Sequence, residues 1–195
     1  MDELKITLTM PDWATEELKK LPTIFATLEE RMAAVIRFSQ LNIDHDTGGP
    51  FAAGVFEQDT GRLVVIGVNR VVPLNCSSAH AEIMTLSLAQ KILGVYDLGG
   101  PGLPGHQLVV NWRPCAMCYG AVLWSGIRSL VIAGSGPELE QITGFDEGPI
   151  HPEWQLELQK RGIEFVDNVL HDEAIKVYHN FAAQNKFVYN SRLGS

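Results

Sequence analysis

The chain is short of cysteines, bases and long apolar runs, and each shortage removes a class of protein. Three cysteines in 195 residues are too sparse, and odd in number, for a secreted disulfide framework. They suit a reducing compartment. No segment approaches the ~20 apolar residues of a membrane span. The N-terminal Met1-Asp2-Glu3-Leu4-Lys5 carries acids and leads into no apolar stretch of signal-peptide length. A soluble cytoplasmic protein with no membrane partner is expected. Lysine and arginine number 15 against 23 acids, a formal net charge of −8. A protein gripping tRNA or DNA needs a basic face, and long-range repulsion opposes that encounter, so no nucleic-acid partner is expected. Small neutral substrates fit better.

What is present is a core. Hydrophobic residues make up 46% of the chain, too many for a disordered protein. Residues 1–22 read as a loosely ordered lead-in broken by Pro11 and Pro22, and the spacing of Leu28, Met32, Val35, Ile36 and Leu41 predicts a first helix over 27–41. Two β-like runs, 51–56 and 63–72, flank the turn signal Asp59-Thr60-Gly61. A helix is expected over 79–93, capped by Ser77 or Ser78 and ended at Gly94. Further strands are expected at 108–110, 129–133 and 163–166, and helices at 114–124, 153–161 and 171–185. The stretch 137–152 reads as irregular. Strands alternating with helices after one hairpin imply an α/β fold, a mixed sheet covered on both faces. The chain divides into a lead-in (1–26), a main domain (27–170) and a C-terminal helix and tail (171–195).

The chemistry concentrates in His80-Ala81-Glu82 and Pro114-Cys115-Ala116-Met117-Cys118, each at a predicted helix start. Cys115 and Cys118 stand three apart, on one helical face, where the N-terminal dipole favours thiolates. A lone Cys-x-x-Cys is equally a redox pair or half a structural zinc site. His80 joins two thiolates in a set that suits Zn2+, and three protein ligands leave a fourth position open, the pattern of catalytic zinc. A metal so held makes water acidic enough to act near neutral pH. Glu82, two residues from His80, is suited to carry protons. The order His-x-Glu, then Pro-Cys-x-x-Cys, matches the signature of zinc deaminases.

The chain resembles the bacterial guanine deaminases of the cytidine-deaminase-like superfamily from about Ala33 into the tail. The resemblance rests on Gly48-Gly49-Pro50-Phe51-Ala52-Ala53, Asn69-Arg70-Val71, Cys76 to Ile83, Pro114 to Ala121, and Gly144-Phe145-Asp146-Glu147-Gly148-Pro149. It implies a three-layer α/β/α fold on a five-stranded mixed sheet, and hydrolysis of guanine to xanthine and ammonia. It implies that Asn69 and the Ala81 amide hold the purine and that Glu147 is a second acid at the amino group. It also implies a homodimer whose C-terminal segment, with Tyr189 and Asn190, covers an active site, often the partner's.

Alternatives stay open at this level. Asn69 can cap a turn, Glu147 can be a solvated loop acid, and Phe51 and Trp124 can stack on a base or pack in the core. Cys76 is expected to be small, buried and near the site, and His45, His106, His151, His171 and His179 to lie in loops or at the surface. The family usually has Glu before Pro-Cys; this chain has Arg113, preceded by Asn111 and Trp112. That exchange leaves another aminated heterocycle or nucleoside (guanosine, ammeline, a pterin or a triazine) as an alternative substrate. A tRNA adenosine deaminase and a non-catalytic zinc-bound interaction module are the remaining readings.

Overall fold

The computed structural model describes residues 4–192. In chain order it contains α1 (Asp12–Lys20), α2 (Leu28–Asp44), β1 (Ala52–Glu57), β2 (Leu63–Val68), α3 (Ala81–Leu93), β3 (His106–Val110), α4 (Ala116–Trp124), β4 (Ser129–Ile132), α5 (Glu138–Thr143), α6 (Trp154–Lys160), β5 (Glu164–Val166) and α7 (His171–Ala183). The strands form one sheet in the order β2-β1-β3-β4-β5. Strand β1 is antiparallel to both β2 and β3, while β3, β4 and β5 run parallel. Strands β2, β3 and β4 therefore end on the same edge, where ligand sites of open α/β sheets form.

Alternation along the strands sorts side chains between two cores. Val109 and Val131 join Phe56, Ile66 and Val68 against the face covered by α1, α2, α5 and α7. Leu108, Val110, Leu130 and Ile132 join Ala53 and Val55 against α3, α4 and α6. The result is the expected α/β/α sandwich on a five-stranded mixed sheet.

Several local expectations are corrected. The lead-in holds α1: Pro11 starts it, Ala14 is fully buried, and Trp13 stacks on His45 at 5.2 Å while donating to Thr47 Oγ1 at 2.9 Å. Ala14, Trp13 and Leu18 dock this nine-residue helix on the core, too few apolar positions for periodicity to register. The capping box of Thr27 and Glu30 sets the start of α2, which runs past the expected Leu41 to Asp44. Strand β2 stops at Val68, and 71–75 is turn. Helix α3 begins at Ala81, with His80 and neither serine at its N-cap, and Gly94 closes it in the left-handed conformation. The stretch expected to be irregular contains α5, whose Leu139 is buried. His106 is also buried, at the start of β3, where its Nδ1 lies 2.7 Å from the Leu98 carbonyl.

One polar knot ties the two halves of the first core together. Asn111, fully buried just past β3, donates to Ser39 Oγ (3.1 Å) and the Pro50 carbonyl (2.9 Å) and lies 3.0 Å from the Tyr178 hydroxyl. Its Oδ1 accepts from Ala52 N at 3.0 Å, and Tyr178 donates to the Asn111 carbonyl at 2.8 Å. Replacement Asn111→Ala strands these donors and acceptors in an apolar interior, where each unpaired group costs about 1–3 kcal/mol. It is expected to destabilise the fold by about 3 kcal/mol, read as a fall in the denaturant midpoint with unchanged slope.

Candidate active site

His80 and Cys115 are both N-cap residues, of α3 and α4, and both helices start from the same edge of the sheet. Cys118 lies one turn into α4, its amide 3.5 Å from the Cys115 Sγ. The ligand atoms of His80, Cys115 and Cys118 all lie within 4.8 Å of one another, the one such group among the described residues. A tetrahedral zinc with ordinary bond lengths needs nitrogen and sulfur about 3.5 Å apart and two sulfurs about 3.8 Å apart. His80 Nδ1 and Cys115 Sγ stand 3.5 Å apart. The donor set and its spacing fit zinc.

The charges at this triangle are arranged for a cation. Cys115 is drawn down to about 4, first by its hydrogen bond with Cys118 and then, against burial, by His80. The Cys118 thiol is pushed up by the Cys115 thiolate, by burial and by Glu82. Burial works to lower the His80 imidazole, but Cys115, Glu82 and Glu147 outweigh it and raise it. Glu82, on the first turn of α3, is buried and raised by desolvation and then by Cys115. Glu147 is raised to about 8, first by burial, then by Cys115 and Glu82, against His80 and Arg113. A bound dication reverses this pressure on every acid around it.

The structure brings most of the sequence candidates to this one place. Glu82, Glu147, His80, Phe51, Trp112 and Arg113 line a cavity of about 10 Å³ at its floor. A wider cavity of about 290 Å³ opens outward past His80, Met117, Phe145, Glu147, Tyr189 and Asn190. Glu147 reaches the metal helix through its backbone: its carbonyl accepts from Ala116 N at 3.1 Å, at the start of α4. Ala81 is fully buried and supplies a first-turn amide of α3, which has no partner within the helix.

Asn69 follows β2 and is fully buried. Its Oδ1 accepts from Gly49 N (3.4 Å) and Val71 N (3.3 Å), and its Nδ2 donates to the Tyr189 hydroxyl. Gly48 permits this fit, since a Cβ there would run into the Asn69 carbonyl. The C-terminal segment lies across the site of its own chain. Lys186 donates to the Ile43 carbonyl (2.7 Å) and Asp46 (2.8 Å), and Asn190 donates to the Gly144 carbonyl (2.8 Å) and accepts from Asp146 N (2.9 Å).

Other candidates fall elsewhere. Phe51 is half-buried, 5.1 Å from Phe145 and edge-on to it. Trp124 is 88% exposed on the outer end of α4, so it serves neither core nor site. Cys76 is half-buried and paired with Ser78 at 3.3 Å; the expected full burial is corrected. Sequence reasoning missed Phe145 as an individual residue, although it packs against Phe51, Phe181 and Tyr189 at the cavity wall. The signal was the aromatic inside the quoted Gly-Phe-Asp-Glu-Gly-Pro. The departures at Asn111 and Trp112 are core residues facing α7: Trp112 meets Tyr178 edge-on at 5.4 Å.

A helix-start histidine, a helix-start cysteine pair and a buried glutamate define a class, the zinc-dependent hydrolytic deaminases. The chain belongs to the cytidine and deoxycytidylate deaminase zinc-binding family, whose model matches residues 26–134. Within that family it is similar to a guanine deaminase structure from Nitrosomonas europaea, at 43% identity over 94% of this chain and 99% of that one, with a TM-score of 0.88. A structure in complex with 2,6-diaminopurine is 46% identical, covers 98% of each chain and gives a TM-score of 0.87. The guanine deaminase of Bacillus subtilis is 30% identical over 142 residues, 72% of this chain and 86% of that protein.

The raised Glu147 carboxyl gives a test of the metal-free electrostatics. The native state keeps a proton that the unfolded chain releases above ~4.3. The stability this confers is complete below that value and is lost as pH climbs to about 8. Glu147→Gln stays neutral throughout. In metal-free protein its melting temperature relative to the parent is expected to rise between about pH 4.3 and 8 and to level off above. A pH-independent difference would refute the assignment.

Proposed function

We propose that this chain hydrolyses guanine to xanthine and ammonia. The observation that carries the reading is the union of a His/Cys/Cys triangle and a buried glutamate with a likeness to a guanine deaminase structure that extends over nearly the whole chain. No helix of the described residues is long and apolar enough to cross a membrane. The cytoplasm is the compartment that keeps a thiolate pair reduced and available to a metal.

His80, Cys115 and Cys118 would hold the zinc. When bound, it supplies Lewis acidity that brings the pKa of a coordinated water to about 7. Glu82, buried beside the triangle, takes the proton of the attacking water and passes it to the ring nitrogen next to the amino-bearing carbon. Glu147, across the small cavity, receives and returns a proton at the amino group, so that the nitrogen departs as ammonia while the carbon gains its oxygen. The Asn69 amide and the Ala81 N–H hold the edge of the base, with Phe51 and Tyr189 on its faces. For Asn69 Nδ2 to meet a purine, the Tyr189 hydroxyl gives up its own bond there.

The test is ammonia release from guanine by zinc-loaded protein. Glu82→Gln is expected to lower kcat by about 10²–10⁴-fold, the usual worth of a general acid–base group, with zinc content unchanged. Wild-type protein that releases no ammonia from guanine refutes the reading.

A homodimer completes the proposal. Trp124 of α4 and Ile92 and Leu93 of α3 are exposed, and Trp124 borders a groove with Ile83, Leu86 and Ala121. Exposed apolar patches of this kind mark association surfaces. The tail can then cover its own site or its partner's. Trp124→Glu is expected to shift the sedimentation coefficient to that of a monomer, while an unchanged value would place the dimer contact elsewhere.

A further inference from the structure

Arg113 is buried at the floor of the site without a full set of partners. The residue is 9% exposed, and its Nη1 has no hydrogen-bond partner among the described residues. Its ion-pair carboxylate, Glu140 Oε1, stands 4.0 Å from Nη2, at the outer limit of a salt bridge, and Glu140 is 38% exposed. Water therefore screens that pairing. Arginine carries five donors in a fixed fork and does not shed its charge. A buried donor left bare is a standing penalty, which water, an ion or a ligand relieves.

The neighbouring groups indicate what does so. The cavity of about 10 Å³ beside Arg113 is also lined by His80, Glu82 and Glu147. It has room for about one water. His80 faces Cys115, and the two carboxyls are committed, in the reading above, to moving protons. Arg113 is the one charged group on this wall that can only donate; the indole of Trp112, the other donor-only side chain there, is packed edge-on against Tyr178. The edge of an aminated heterocycle carries the matching acceptors, a lactam oxygen and unprotonated ring nitrogens.

We propose that Arg113 Nη1 donates a hydrogen bond to an acceptor atom of the bound heterocycle and so selects among amino-heterocycles by where that acceptor lies. The inference rests on the deaminase reading and deepens it, making the Glu-to-Arg exchange before Pro114 a specificity device. A lysine at 113 presents a compact ammonium in place of the fork and does not fully replace it.

The experiment is a cycle of enzyme and ligand deletions. Zinc-loaded wild type, R113M and R113K are compared on guanine, 2-aminopurine (C6 oxygen removed), 7-deazaguanine (N7 removed) and 3-deazaguanine (N3 removed). Binding constants are measured for all four and kcat/KM for those turned over, with zinc content and melting temperature recorded. R113M is expected to weaken guanine binding about 10- to 100-fold, the range for losing a charge-assisted hydrogen bond. On the one analogue that already lacks the accepting atom, the penalty is expected to shrink below about 3-fold. R113K is expected to fall between, and it carries the test if R113M fails to fold. A penalty of equal size on all four ligands overturns the proposal and makes Arg113 a positioning residue for Glu147 or α5. Absence of ammonia release by wild type sinks the deaminase reading alone, because the binding cycle still reads the contact.

Discussion

His80 and Cys115 each occupy the residue immediately before a helix, and the 3.5 Å between their ligand atoms is the constraint on which the site depends. An N-cap residue has an extended backbone while the next residue is already helical, so its side chain is fixed by the helix it begins. Both helices are fixed in turn by strands that end on one edge of the sheet. A shift of either helix by one residue would turn its ligand away by about 100°. The sheet register, the length of the connection 111–115 and the start of α3 are thus all conditions on one distance.

That geometry concentrates charge that the apolar surroundings do not tolerate. Two sulfurs, an imidazole and two carboxyls share a buried space; burial first, and then the neighbouring negative charge, raises Glu82 and Glu147, while the bond to Cys115 and burial raise Cys118. Without a cation the site resolves the conflict by keeping protons. With a dication the same crowding becomes complementary, and protons leave as the metal enters.

The convergence of His80, Cys115 and Cys118 beside Glu82 was legible because it is local: two short motifs, each at a helix start. The sheet was legible from short apolar runs bounded by turn signals and separated by helical stretches. What was not legible depends on distant partners. Helix α1 is held by Trp13 against His45 and Thr47, residues that sequence spacing gives no reason to pair. His106 reads as a surface histidine until β3 carries it inside. Trp124 looks like core by residue type, yet α4 presents it outward. Arg113 stood out as a departure, but its orphaned donor appears only once Glu140 is seen at 4.0 Å.

The close approach of Trp112 to Gly134 has a consequence for how this lineage can vary. A methyl group at position 134 would sit 2.5 Å from the indole. Enlarging 134 therefore requires both a smaller ring at 112 and a shift of His171, whose Cδ2 would stand 2.8 Å from the same methyl group. The contact couples these positions sterically, and a chain carrying tryptophan at 112 should carry glycine at 134.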